Sequence, residues 1–296
     1  MKNIWYLFIS MRPKQWTKNL VLFAGVLFSK RFLEQPCVLK SLLGFLVFCM
    51  LSGAIYILND LFDRKRDQGH PVKRMRPIAS GSVSGGTAGT FSGLLIIVFV
   101  SLSWLLGIRF FLLSAAFVLV NGIYSILLRQ VVILDVISIS FSFLIRAGAG
   151  VAVLYSEVPG LEFSPWLWIC TLFLSLFLAL CKRRNEFFNL DDAGGHRQSL
   201  TEYSALLLDQ LVGLSSTAAL ISYSIYTVWP STVEKFGSHN LVYTIPFVVF
   251  GIMRYLYLVY NRHEGGDPSG VLLTEKAIII DVFLWFATTV LIIMYA

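Results

Sequence analysis

Nine stretches of this chain run apolar and almost free of charge for lengths close to the thickness of a bilayer core. A soluble globular fold has no place for them. A spanning helix needs roughly 20 mostly apolar residues. Residues 41–59, 88–108, 110–128, 132–155, 163–181, 206–229, 241–260 and 277–295 meet that need. A shorter stretch at 20–29, extendable through Phe32 and Leu33, makes the ninth. The composition agrees: charged residues are 14%, hydrophobic residues 56% and mean hydropathy is +0.73, against about 25% charge in an ordinary soluble domain. The expected class is an all-α, polytopic membrane protein forming one integral-membrane domain over residues 1–296.

Charge placement sets an expected orientation. With the N-terminus inside, Lys2, Arg12, Lys14, Lys18, the bases of the 64–76 segment, Arg129, the 182–184 run, Arg197, Arg262 and Lys276 face the cytoplasm. Only Lys30, Arg31, Lys40, Arg109 and Lys235 fall opposite. Cytoplasmic loops carry such an excess of Lys and Arg, so the net charge of +7 is read as loop charge and not as a nucleic-acid surface. Arg12, Lys14 and Lys18 fall where a signal peptide would be apolar, so no cleavable leader is expected. An odd number of spans puts the C-terminus outside, in a multi-pass protein of the cell (inner) membrane. Cys37, Cys49, Cys170 and Cys181 show no paired spacing, so neither a zinc site nor a disulfide framework follows.

Ionisable residues in or beside spans are costly, about 2.5–3.5 kcal/mol each, and need a reason. The densest group ends the second stretch: Tyr56, Asn59, Asp60, Asp63 and Asp67. On a helix Asn59, Asp63 and Asp67 recur every four residues and drift only about 40° per step. Carboxylates packed so closely repel unless a cation joins them. Oxygen-only ligands suit Mg²⁺, which binds through one or two carboxylates plus substrate phosphates. The bland alternative is a solvated helix end whose acids pair with Arg64, Lys65 and Arg66. The loop that follows carries His70, Lys73, Arg74 and Arg76 between prolines and glycines. It either closes over a diphosphate or is ordinary loop charge.

Other polar groups are open to two readings. Lys14 and Lys18, beside Trp16, lie in an expected interfacial helix over residues 11–19, facing one way; they meet lipid headgroups or reach the active site. Tyr124 and Arg129 end one span. Asp135 opens the next, and Arg146 lies deep within it, about three turns on. Those two are too far apart to pair, so each needs another partner, and Arg146 is either functional or a structural clamp. Gly148 and Gly150 allow close helix packing. The last set is Lys182, Arg183, Arg184 and Glu186, with Asp191, Asp192, His196 and Arg197 downstream.

The pattern Asn59-Asp60-x-x-Asp63-x-x-x-Asp67 resembles the first aspartate-rich motif of the UbiA superfamily of intramembrane prenyltransferases. The resemblance covers nearly the whole chain and implies a nine-helix bundle with a cytoplasm-facing cavity. The segments Arg12-Pro13-Lys14-Gln15-Trp16-x-Lys18-Asn19, His70-Pro71-x-Lys73-Arg74-x-Arg76-Pro77 and Lys182-Arg183-x-x-Glu186 look like the decaprenyl-phosphate phosphoribosyltransferase branch. So do Arg254-Tyr255 and Gly266-Asp267-Pro268. That branch implies transfer of phosphoribose from 5-phosphoribosyl 1-diphosphate to a polyprenyl phosphate with release of diphosphate. Its product feeds arabinose donors for cell-envelope polysaccharide.

In this reading Mg²⁺ on Asn59, Asp63 and Asp67 holds the donor diphosphate. Lys73, Arg74 and Arg76 clamp its phosphates, and nearby carboxylates, Asp60 among them, steady positive charge at the sugar C1. Arg129, Arg146 or Lys182 holds the lipid phosphate. Tyr56, Tyr124, Asp135, Arg183, Glu186, Lys14 and Lys18 complete the expected substrate-binding set. The rival enzyme reading is a prenyltransferase acting on an aromatic acceptor. It calls for a second acidic motif near the sixth span, and residues 163–181 contain no acid. A transporter would show inverted repeats and midplane sites, which the chain lacks. The oligomeric state is not legible.

Overall fold

The computed structural model describes residues 2–158, 160–161, 164–188, 198–262 and 264–295. Among them there is no strand. The α-helices are α1 (Lys2–Ser10), α2 (Ala24–Phe28), α3 (Gln35–Phe62), α4 (Arg64–Gln68), α5 (Gly85–Ser103), α6 (Ile108–Ile126) and α7 (Leu134–Ala152). They continue as α8 (Pro165–Phe188), α9 (Gln198–Thr201), α10 (Ala205–Val228), α11 (Pro230–Phe236), α12 (Ile245–Asn261), α13 (Pro268–Thr274) and α14 (Lys276–Tyr295). Residues Pro13–Phe23 form a 3₁₀ helix.

Eight helical segments among the described residues are long and apolar enough to cross a membrane: those built on α3, α5, α6, α7, α8, α10, α12 and α14. They match eight of the nine expected stretches. The expected first span is different in kind. It is the 3₁₀ helix running straight into the five-residue α2, shorter and partly more tightly wound than the other eight. A backbone crossing goes with it. A Cβ on Gly25 would land on the Gly150 carbonyl, and one on Gly150 would land on the carbonyl of Leu22. The two segments approach as closely as only glycine permits. Of the two glycines expected to allow close packing in α7, Gly150 is the one at this crossing.

The chain divides into two compact units, Met1–Phe163 with Asp191–Ser199, and Ser164–Leu190 with Leu200–Ala296. In the first, α3 is the central element. Its buried Val47, Phe48, Leu51 and Ile55 join Leu22, Val26, Phe110, Phe117, Ile145, Ala149, Ala152 and Val153 in one core. A smaller core of Leu7, Met11, Ile57, Ile78, Val83 and Ala88 pins α1 and the loop after α4 to the same helix. Ser84 caps α5 by accepting the Thr87 N–H at 3.1 Å, a typical N-cap. In the second unit α8 packs along α10 and α12 along α14, with Phe177 edge-on to Tyr255 at 5.6 Å. Ser204 caps α10. Large apolar side chains left exposed, such as Leu94, Ile97, Leu112, Leu119, Leu214, Ile280 and Phe283, lie on these long helices, where a bilayer is the natural solvent.

Candidate active site

The acidic group sits where α3 ends. Asp63 adopts φ −88°, ψ 0°, closing α3 and opening α4. Asn59, Asp63 and Asp67 therefore straddle the junction of α3 and α4. Two helical bonds bridge it: the Asp63 N–H donates to Asn59 O at 2.9 Å and the Asp67 N–H to Asp63 O at 2.8 Å. The three residues stay one turn apart.

Arginines pair with each of these carboxylates. Asp60, 3% exposed, pairs with Arg12 and with Nη1 of Arg76 at 3.1 Å. The same Arg76 nitrogen reaches Oδ2 of Asp67 at 2.6 Å. Asp63 receives Nη1 of Arg129 at 2.8 Å on Oδ1 and 3.0 Å on Oδ2, and Nη2 of Arg66 at 2.9 Å. Of the three neighbouring bases weighed as simple partners, Arg66 takes that role. The repulsion expected among the acids is thus met by four guanidiniums.

Arg12 was missing from the expected site. It holds φ 52°, ψ 65°, a left-handed conformation uncommon outside glycine. This turns the chain between α1 and the 3₁₀ helix and sets its guanidinium 5.2 Å from the Tyr56 ring centre as well as on Asp60. The sequence signals were the Arg-Pro step and the place of Arg12 at the head of the family-like segment 12–19. The expected interfacial helix over 11–19 is likewise corrected: α1 ends at Ser10, and the 3₁₀ helix starts at Pro13. At three residues per turn, Lys14 and Lys18 stand about 120° apart and do not share a face. Lys14 is exposed, whereas Lys18 is half-buried.

The basic loop is folded, not loose. His70 Nδ1 accepts the N–H groups of Val72 (3.2 Å) and Lys73 (3.3 Å). Gln68 donates to Ala79 O, and Ile78 and Ala79 are buried. Lys73 is half-buried and Arg74 exposed. Tyr124 is half-buried near the end of α6, and Asp135 is fully buried in the first turn of α7. Ser199 donates to the Arg129 carbonyl at 3.1 Å.

Arg146 has found partners other than Asp135. Its Nε donates to Asn19 Oδ1 at 2.8 Å, and Nη1 to Ser142 O (3.0 Å) and Oγ (2.8 Å). Its guanidinium lies over Phe117 at 4.6 Å and Phe143 at 5.2 Å. Asn19, fully buried, also meets Cys49 and Ser52. Asn19 closes the family-like segment that Arg12 opens, but no spacing rule gave it this partner.

In the second unit α8 continues past Cys181, the expected end of the span, to Phe188. Glu186 is therefore on that helix, paired with Arg183 and, at 3.8 Å, with Lys182. Arg183 is completely buried. Arg184, set aside by the motif, is anchored more firmly: Nε lies 2.6 Å from Asp209 and the guanidinium 3.9 Å from the Tyr260 ring, while the Tyr260 hydroxyl donates to the same Asp209. Arg254 pairs with Glu275 at 2.6 Å. That pairing, with the Ile278 N–H at 2.9 Å, holds the Glu275 carboxyl below the usual carboxylate range. Asp191, Asp192, His196 and Arg197 lie outside the described residues.

The donor set at the end of α3 suits a hard divalent ion. Asn59 Oδ1 is buried without a hydrogen-bond partner, and the carboxylates of Asp63 and Asp67 are one and two turns on. Among the described residues no three His, Cys, Asp or Glu side chains group closely enough to hold a metal alone. Mg²⁺ held by Asn59, Asp63 and Asp67 would need substrate oxygens to complete its shell.

Comparison with known proteins agrees with this geometry. A relative from Mycolicibacterium smegmatis, named decaprenyl-phosphate phosphoribosyltransferase, is 30% identical over 94% of this chain and 89% of its own. One of the same name from Corynebacterium glutamicum is 29% identical over 93% and 83%. A solved UbiA homologue from Archaeoglobus fulgidus, bound to GPP and Mg²⁺, superposes with a TM-score of 0.73 over 98% of this chain and 99% of its own, at 17% identity. The model of the UbiA prenyltransferase family matches residues 20–286; the chain belongs to that family and is a multi-pass membrane transferase.

Proposed function

We propose that this chain transfers 5-phosphoribose from 5-phosphoribosyl 1-diphosphate to a polyprenyl phosphate, releasing diphosphate. The observation that carries the reading is the mixed site at the end of α3, where Asp60, Asp63 and Asp67 interlock with Arg12, Arg66, Arg76 and Arg129. The two named relatives, similar over more than nine-tenths of the chain, support the substrate pair. The whole chain acts as one transferase domain, in the inner membrane, with this site on the cytoplasmic side. Its product serves arabinose-donor and cell-envelope polysaccharide synthesis.

Asn59, Asp63 and Asp67 would hold Mg²⁺, which when bound neutralises charge on the departing diphosphate. Arg76 stands between Asp60 and Asp67 and can exchange a carboxylate for a phosphate oxygen without leaving the site. Lys73 and Arg74, on the loop fixed by His70, add charge-assisted contacts to the same phosphates. Asp60, held by Arg12, keeps negative charge where the sugar C1 becomes electron-poor. The lipid phosphate is already an anion at neutral pH, so no strong general base is required. Tyr124 and Asp135 complete the substrate contacts of the first unit.

The test is transfer of radiolabel by detergent-purified protein with Mg²⁺. Label from 5-phosphoribosyl 1-diphosphate should enter a polyprenyl-phosphate fraction. Label appearing only in an aromatic acid prenylated from a polyprenyl diphosphate would replace this reading with the rival one.

A further inference from the structure

Helix α1 carries a strip of large apolar side chains that the rest of the first unit leaves uncovered. Ile4, Trp5, Phe8 and Ile9 are between 40% and 73% exposed. At about 100° per residue they share an arc of about 140° on one side of the helix. The other side is docked: Leu7, with Met11 just beyond the helix, is buried in the core that includes Ile57, Ile78, Val83 and Ala88. The rings of the strip are tied together. Trp5 stacks on Phe8 at 6.0 Å, and Phe8 meets Trp16 edge-on at 6.0 Å. With 9 residues, about 14 Å of helix, α1 is too short to cross a hydrocarbon core of about 30 Å.

Its depth follows from α3. The 28 residues of α3 run about 42 Å, so a straight crossing leaves about 6 Å beyond the hydrocarbon at each end. Ile57 lies about 8 Å from the Phe62 end, close to that boundary. Met11 rests on Gly53, one turn deeper. The strip also adjoins a surface that only lipid can cover. Phe91 and Leu95 of α5 pack on the same core and line an apolar groove with Leu94, Val98 and Phe99.

We propose that α1 is an interfacial anchor, laying Ile4, Trp5, Phe8 and Ile9 into the headgroup–acyl boundary of the bilayer at the Phe62 end of α3. Tryptophan is enriched at that level. An amphipathic helix lying in the membrane plane buries its apolar face about 5–10 Å into this boundary. The interfacial role expected of residues 11–19 falls instead to the helix before them. Arg12 follows α1 directly, its N–H donating to Ile9 O at 3.0 Å. The anchor therefore also fixes the start of the turn that brings Arg12 to Asp60.

The experiment reads depth in the full chain and needs no substrate. The protein is placed in vesicles of phosphatidylethanolamine and phosphatidylglycerol. In a background freed of its own cysteines, Ile4→Cys, Trp5→Cys, Phe8→Cys and Ile9→Cys are spin-labelled one at a time. Each label should collide more often with oxygen, which concentrates in the bilayer, than with a water-soluble nickel chelate. The depth should be about 5–10 Å below the phosphates. A second measurement keeps the cysteines. Trp5→Phe removes one of 7 Trp, and the emission it removes should be emission that brominated lipid quenches. Nickel collisions dominating at positions 5 and 8, or Trp5 emission that bromine leaves unquenched, would put the face in water. Spin–spin broadening that disappears on dilution with unlabelled chain would put a second copy on the strip. Either result overturns the anchor.

Discussion

Nη1 of Arg76 stands 2.6 Å from Oδ2 of Asp67, a carboxylate only 2% exposed. Because that nitrogen also reaches Asp60, one side chain of the basic loop ties α3 to α4. Removing it takes from buried Asp67 its arginine and leaves Asp60 to Arg12 alone, a loss of about 1–3 kcal/mol for an unsatisfied buried group. Arg76→Met should therefore lower the thermal midpoint in detergent and abolish transfer, while Arg74→Met, an exposed neighbour, should leave the midpoint unchanged.

Asp63→Asn and Asp67→Asn should each cut turnover at least a hundredfold and still yield protein that extracts from membranes as folded material. The amide keeps the shape and one acceptor oxygen but loses the charge that a divalent ion requires. Either variant retaining most activity, or the parent working fully in excess chelator, would remove the metal from the site.

Gly25→Ala and Gly150→Ala should be the most destabilising small substitutions in the first unit. Each new methyl meets backbone carbonyl atoms that cannot move aside, and overpacking costs typically about 1–3 kcal/mol or more. Gly93→Ala is the contrast. Its methyl would meet no atom within 4 Å, so the thermal midpoint should not fall.

Orientation is checked within the first unit. In a background freed of its own cysteines, a cysteine in the 64–82 loop should resist a membrane-impermeant maleimide applied to intact cells. One placed at the exposed Lys30 should react. Labelling of the 64–82 loop from outside would put the acidic site in the wrong compartment for a soluble sugar diphosphate.

Loss of Asp209 tests the anchor of α8. Asp209→Ala removes the acceptor shared by Arg184 and Tyr260, and the Arg184 guanidinium is nearly buried. A midpoint several degrees lower is expected, with Asp209→Asn intermediate because it still accepts one bond.

Sequence by itself determined the solvent of this protein and the location of its acidic and basic clusters. Apolar runs of spanning length are a local property, and eight of them became helices with nearly the expected bounds. Acids four residues apart at the end of α3 and bases in the following loop were legible for the same reason: neighbours one turn apart interact whatever the rest of the chain does. Tertiary structure decided the partners. Arg12 and Asp60 are 48 residues apart, Arg129 and Asp63 66, Arg146 and Asn19 127. No local spacing encodes which distant base meets which acid, since packing around Phe48 and Phe117 brings the segments together. Packing also decided the kind of helix over Pro13–Phe23. A helical pattern reads alike at 3.0 or 3.6 residues per turn over one turn, and the close crossing of Gly25 and Gly150 is a contact between segments that only the folded chain possesses.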